Sequence, residues 1–393
     1  MRKLLIILLL LLQVLALPAI SFGYHVFELR SEPEFSEGVF PSSVIYQFNF
    51  PVKDFIQGSS TAVAARLDAG LAFPTLRQDP DDGSFYAQES HPDHGAFDLD
   101  YTTMFGEINL FYSQGFMHKD KPDKDFLTVY AAIDARFEHS YDRLDWMTDS
   151  GHTDGLFHYV EDGVKTNRFP GSSWKGAPEL KSDRTNTQFS ITLSFTVDYL
   201  REETTERDGF KFTTWLRYAP EYLNFSSGKS DFIASYSTLQ YSKTLLSKEN
   251  KIWPKDLNWV SLVFDDILTY RVIFGDKVPV YIQGGDIWGD SDVPNLRNVF
   301  TNRAQVTLYG PQLYARDLYP DLTFFFDLGL GVGKALNSDS DKSYTEWVSS
   351  YGIRAEFVLY NICEVFFEIG CVLNPAFDDD RYVEWRAGFR LGI

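Results

Sequence analysis

Between residues 187 and 199 the chain alternates without a slip. Phe189, Ile191, Leu193, Phe195, Val197 and Tyr199 take one side; Gln188, Ser190, Thr192, Ser194, Thr196 and Asp198 take the other. Period two is the signature of a strand, and a polar face this uniformly small and hydrophilic suits a wet interior. The segment 63–73 sets Val63, Ala65, Leu67, Ala69, Leu71 and Phe73 against Arg66, Asp68 and Gly70. The segment 127–137 sets Leu127, Val129, Ala131, Ile133, Ala135 and Phe137 against Asp134 and Arg136. Segments 210–218, 260–274, 304–308, 324–332, 347–359 and 363–373 behave alike, while 44–50, 105–112, 232–241 and 278–282 are shorter or less regular. With the C-terminal strand the spacing predicts fourteen strands, within a range of about 12–16.

That last strand, in 380–393, carries the sharpest pattern. Val383, Trp385, Ala387, Phe389, Leu391 and Ile393 share one face; Glu384, Arg386, Gly388, Arg390 and Gly392 share the other. An open edge of this kind invites pairing with other chains, whereas a closed barrel uses it to join last strand to first. The connections point the same way. Asn361 alone separates two long strands and 275–277 reads as a tight turn, whereas 247–256, 285–295 and 337–343 are long and polar. Short turns on one side and long polar loops on the other describe an antiparallel transmembrane β-barrel. Counted back from the C-terminus, 73–100 and 139–186 fall on the short-turn side. That phase error implies either a missing strand, for which 156–160 is the candidate, or a hairpin within 260–274 turning at Asp265–Asp266.

The N-terminus is a secretory signal by pattern. Arg2 and Lys3 form a positive n-region, 4–17 an apolar run short of the roughly 20 residues that span a bilayer, and 18–23 a small-residue exit before Tyr24. The expected organisation is a cleaved signal at 1–23 and a barrel over 24–393. Loss of Arg2 and Lys3 takes the formal net charge from −19 to −21, which argues against nucleic acid as a partner, because phosphate binding needs clustered Lys and Arg. Aromatic residues reach 16% of the chain, yet mean hydropathy is −0.22. A barrel reconciles these values, because only alternate residues meet lipid.

Candidate chemistry is sparse. Gly329, Gly331, Gly333 and Lys334 suggest a phosphate loop, but the required Gly and Ser/Thr positions hold Leu328 and Ala335, and the glycines alternate with Leu330 and Val332 inside a strand. They read instead as an inner wall without side chains. His91, Asp93, His94, Asp98 and Asp100 gather in one loop and Asp286, Asp290 and Asp292 in another; neither follows a calcium-loop spacing, so no metal site is assigned. No catalytic motif is present and no cofactor is expected. Cys363 and Cys371 lie eight residues apart on one strand, roughly 26 Å at about 3.3 Å per residue, too far for a disulfide. They read as small apolar residues on the lipid face.

The chain resembles the bacterial outer-membrane β-barrels. Arg386, Gly388, Leu391 and Ile393 occupy the places of that class's C-terminal β-signal: a polar residue, a spacer, Gly, two spacers, then two apolar residues one apart. The departure is Ile393, where Phe is usual. The resemblance implies an outer-membrane location, insertion by the barrel-assembly machinery, contact with outer-membrane lipid, and a porin-like channel or transporter for small polar solutes. Arg66, Asp68, Asp134, Arg136, Arg354, Glu356, Glu364, Glu368, Glu384, Arg386 and Arg390 are the expected pore-lining charges. A surface adhesin or receptor on a closed barrel and an outer-membrane lipid-modifying enzyme are the alternatives.

Overall fold

The computed structural model describes residues 24–31, 41–56, 58–76, 99–118, 121–142, 158–161, 164–167, 178, 184–203, 205–225, 228–247, 261–283, 296–310, 318–337, 341–359, 363–373 and 383–392. Fourteen strands form one antiparallel ladder: β1 Tyr24–Ser31, β2 Ser42–Phe50, β3 Thr61–Ala72, β4 Leu99–His118, β5 Lys121–Asp142, β6 Thr185–Asp198, β7 Arg207–Ala219, β8 Asp231–Ser247, β9 Ser261–Lys277, β10 Leu296–Tyr309, β11 Leu318–Ala335, β12 Tyr344–Leu359, β13 Cys363–Val372 and β14 Val383–Gly392. The ladder closes: β1 pairs with β14, Leu29 opposite Leu391 and Ser31 opposite Phe389. Closure leaves no unpaired edge in the hydrocarbon, the condition any membrane-spanning sheet must meet. Among the described residues no helix is long and apolar enough to cross a membrane.

Side-chain alternation sorts the wall into two faces. On β5, Ile133 is 59% and Phe137 48% exposed, whereas Asp134 between them is 1% and Arg136 8% exposed. Reversed polarity of this kind, with large apolar residues outward and charges inward, is stable only where lipid surrounds the wall. Cys363 and Cys371 are free thiols on the outer face of β13, opposite Leu391 and Val383.

Two differences from the sequence reading share one cause. The segment 278–282 is no strand; Val280–Gln283 forms a single helical turn, α1, between β9 and β10. Tyr24–Ser31, not foreseen as a strand, is β1. Exchanging one for the other keeps the count at fourteen and corrects the phase, so the long connections 73–98 and 143–184 leave the same rim as 278–295. β9 is continuous through Asp265–Asp266, and residues 158–161 and 164–167 pair only with each other in a small hairpin apart from the barrel.

The expected turn at 275–277 lies inside β9. The β8–β9 register slips between Asp231 and Phe232, and Gly275 takes a φ of 138°, where a Cβ would stand 2.2 Å from the Asp231 carbonyl oxygen. Only glycine suits that bulge. Gly329, Gly331 and Gly333 lie within β11, with no phosphate loop. His91, Asp93, His94, Asp98, Asp286, Asp290 and Asp292 lie outside the described residues, as do the signal segment 1–23, Ile393 and the side chain of Asp100. Among the described residues no cluster of His, Cys, Asp and Glu is placed to hold a metal ion.

Candidate functional site within the barrel lumen

The inner face breaks its own polar rule on β10 to β13, where Val299, Phe325, Val348 and Val372 cluster, and again on β7 to β9. Ala219 on β7, Phe232 and Ala234 on β8 and Ile273 on β9 all sit at inward positions and are almost fully buried. An apolar patch facing a wet lumen is costly, and the chain covers it. After β9 the segment carrying α1 turns into the barrel and packs Val278 and Ile282 on the patch, joined by Leu336 from the end of β11. Burial of each such side chain contributes about 1.5–3 kcal/mol.

Polar contacts hold the inward segment at both ends. Asn337 accepts a hydrogen bond from the Val278 amide at 2.7 Å and donates its own amide to the Val278 carbonyl at 2.8 Å. Gln283 donates to the same carbonyl at 2.9 Å. The buried Arg271 donates to the backbone carbonyls of Gln283 and Leu296. Asn337 has a φ of 58°, a left-handed conformation that Asn tolerates better than most side chains.

From this anchorage Tyr281 reaches inner-wall side chains of β5, β6 and β7. Its hydroxyl donates to Gln188 on β6 at 2.8 Å and accepts from Arg217 on β7 at 3.4 Å. The Arg136 guanidinium stacks 3.8 Å from the centroid of its ring. Arg136 pairs in turn with Glu138 and Glu107, both at 2.9 Å. Arg217 lies 3.6 Å from Glu107 and 3.7 Å from Asp134. Thr192 donates to Asp134 at 2.7 Å, as does Asn109. Three carboxylates against two guanidiniums leave this network one negative charge from neutrality, and each ion keeps the partners a buried charge requires.

A cavity of 580 Å³ opens beside the inward segment. Its wall is Ser113, Thr128, Tyr130, Thr192, Ser194, Thr196, Trp215, Arg217 and Tyr236, with Tyr281 and Ile282 facing them. Trp215 and Tyr236 stack nearly parallel, 4.6 Å between centroids at 13°.

A second charged group lies on the opposite wall. Arg354 pairs with Glu356 at 2.7 Å, Glu364 at 3.1 Å and Glu368 at 3.6 Å, its guanidinium 4.1 Å from the Phe366 ring centroid. Beside it Arg303 makes two 2.7 Å bonds to Asp327. At the seam Arg390 reaches Glu28 of β1 at 2.6 Å, and Glu28 also takes Arg30. Arg386 stands in register with Glu368, and Arg66 lies 3.6 Å from Asp68. Glu384 is in β14, its side chain outside what the structure describes. Gly388 is packed tightly: a Cβ there would meet the Phe366 ring at 2.5 Å and the Ser31 carbonyl oxygen at 2.9 Å.

The expected charges therefore divide. Asp134 and Arg136 belong to the network that holds Tyr281; Arg354, Glu356, Glu364 and Glu368 form one cluster; Arg390 belongs to the seam. Glu107, Glu138, Arg217 and Tyr281 were not foreseen. Continuing the period-two count from Asp134 and Arg136 reaches Glu138. The run of apolar residues at inward positions 219, 232, 234 and 273 was the sequence signal for the covering segment.

No protein-family model matches the chain, and no curated protein matches it. Among solved structures, the chain is similar to CdiB from Acinetobacter baumannii at 10% identity, covering 95% of this chain and 60% of that one, with a TM-score of 0.47. CdiB from Escherichia coli is 12% identical over 94% of this chain and 63% of that one, TM-score 0.49. The toluene transporter TodX of Pseudomonas putida is 9% identical over 95% and 89%, TM-score 0.33. The chain spans about three fifths of the length of the CdiB chains. A closed, even-stranded antiparallel ladder with an apolar outer face and a charged inner face gives this chain the architecture of an outer-membrane β-barrel.

Proposed function

We propose that the protein is an outer-membrane channel or transporter for small solutes, its bore narrowed by the inward segment around α1. The observation that supports this most is the 580 Å³ cavity beside that segment, lined by aromatic and hydroxyl side chains, inside a barrel whose inner wall carries charge of both signs. A barrel serving only as a platform needs no such space, and a cavity of this size lies within the range of about 300–1,000 Å³ typical of small-molecule sites. On this reading Arg66, Asp68, Arg354, Glu356, Glu364, Glu368, Glu384, Arg386 and Arg390 border the solute path. Asp134 and Arg136 have another duty, fixing Tyr281 at the constriction. The C-terminal segment with Arg386, Gly388, Leu391 and Ile393 serves as the signal read by the barrel-assembly machinery. The adhesin or receptor reading draws on the two longest connections, 73–98 and 143–184, leaving one rim.

Swelling of proteoliposomes tests the proposal. Vesicles carrying the refolded barrel swell in small neutral solutes and stop swelling as solute size passes the constriction. Vesicles that stay silent to every solute while holding folded protein would rule out a channel and leave the surface-receptor reading.

A further inference from the structure

The ladder register lines up the inner wall into rows that no single strand reveals. Ser113, Tyr130, Ser194, Trp215 and Tyr236 are successive cross-strand partners from β4 to β8. All five line the 580 Å³ cavity. One row nearer the other rim, Thr128, Thr196, Thr213, Thr238, Thr269 and Thr301 are successive partners from β5 to β10. Thr196 bonds Thr213 at 3.1 Å and Thr238 bonds Thr269 at 3.3 Å. Neighbouring strands lie about 4.8 Å apart, so the aromatic row is a strip roughly 19 Å long with a hydroxyl belt beside it.

We infer that this strip binds a neutral, polyhydroxylated ring compound, a mono- or disaccharide; the inference rests on the channel reading only for how the ligand arrives. Such a ring has an apolar face of C–H groups and a rim of hydroxyls. Trp215 and Tyr236, stacked as one slab, offer the flat apolar partner. Ser113, Thr128 and Ser194 have no hydrogen-bond partner of their own among the described residues, so their hydroxyls are available to donate or accept. Anionic ligands find no counter-ion, because Arg217 is engaged by Glu107 and Asp134. Hydrocarbons would leave the three hydroxyls dry and unpaired. A ladder needs only β-branched residues at the belt positions. Six threonines in a row, where valine would serve the strand equally, keep the path wetted without charge.

The test is calorimetric titration of the full barrel, refolded in detergent and checked for heat-modifiable gel mobility, with maltose, citrate and toluene in turn. Maltose binds saturably with a millimolar or tighter Kd, and citrate and toluene do not. Tyr236→Ala and Trp215→Ala each weaken maltose by about tenfold or more, while Trp215→Phe restores most of the affinity and Trp385→Phe, on the lipid face, changes nothing. Trp215 also packs on the apolar patch, so Tyr236→Ala carries the conclusion if Trp215→Ala does not fold. No saturable binding of maltose, tighter binding of citrate or toluene, or an unchanged Kd in Tyr236→Ala overturns the inference. Binding without any conductance would overturn the channel reading and leave this one standing; conductance without maltose binding would do the reverse.

Discussion

Replacing Asn337 should loosen the constriction without touching the barrel. Its side chain ties Val278 at both backbone groups, 2.7 Å to the amide and 2.8 Å to the carbonyl. In Asn337→Gly the carbonyl keeps its bond from Gln283, so losing one of two partners costs about 0.5–1.5 kcal/mol. The amide is left with no partner among the described residues and, if it stays buried, costs about 1–3 kcal/mol. The seated state therefore loses about 1.5–4.5 kcal/mol, a shift of roughly 10- to 1,600-fold toward the unseated one. Glycine accepts the left-handed φ of 58°, so this variant removes the bonds alone. Asn337→Ala adds about 1–2 kcal/mol of backbone strain and should go further. Hydrogen exchange measured by mass spectrometry on the peptide covering 278–283 reads the effect: protection falls in the glycine variant and falls more in alanine, while strand peptides of β3 and β13 are unchanged. Wild-type protection in Asn337→Gly would refute the anchoring role, and loss only in Asn337→Ala would assign the effect to strain.

Other consequences are independent of the inward segment. Changing Glu364 and Glu368 to Gln leaves Arg354 with Glu356 as its remaining carboxylate partner in the cluster. The reversal potential should then move toward anions at low salt and less so at 1 M, where the Debye length is about 3 Å; an unchanged potential at low salt would remove those glutamates from the path. Gly388→Val drives a side chain into the Phe366 ring and the Ser31 carbonyl, and should abolish heat-modifiable mobility; a normally folded variant would mean that the β14–β1 seam tolerates bulk there. Aspartates at Leu391 and Ile393 should block outer-membrane insertion, as read by fractionation, and normal insertion would deny this strand a signalling role. Mass spectrometry of alkylated, non-reduced protein should find two modified thiols after unfolding, and a Cys363–Cys371 disulfide would contradict the extended geometry of β13.

What the sequence could and could not reveal follows from how far each pattern reaches. Period two is a local property, so β6, β3 and β5 were legible from a dozen residues each. So were the inward positions of Asp134, Arg136, Arg354 and Glu368. The segment 278–282 alternates too, with β-branched residues on one parity, but Pro279 sits inside it and removes a ladder donor. That proline now precedes a helical turn, its carbonyl accepting from the Ile282 amide at 3.1 Å. Conversely Tyr24–Ser31 is short and presents Glu28 and Arg30 among apolar neighbours. Its strand character depends on pairing with β2 and β14, which lie far along the chain or at its end. The threonine row and the Tyr281 network depend on register between strands, and a single sequence does not state a register. The apolar inward residues at 219, 232, 234 and 273 were a local sign of a covered patch, and Val299, Phe325, Val348 and Val372 cluster inward as well.

The central claim is that the bore conducts. Purified protein refolded in detergent and added to a planar bilayer should give discrete current steps, larger in Tyr281→Ala, where the inward ring held by Gln188, Arg217 and Arg136 is gone. A heat-modifiable, correctly inserted barrel that passes no current, in wild type and Tyr281→Ala alike, would contradict the account.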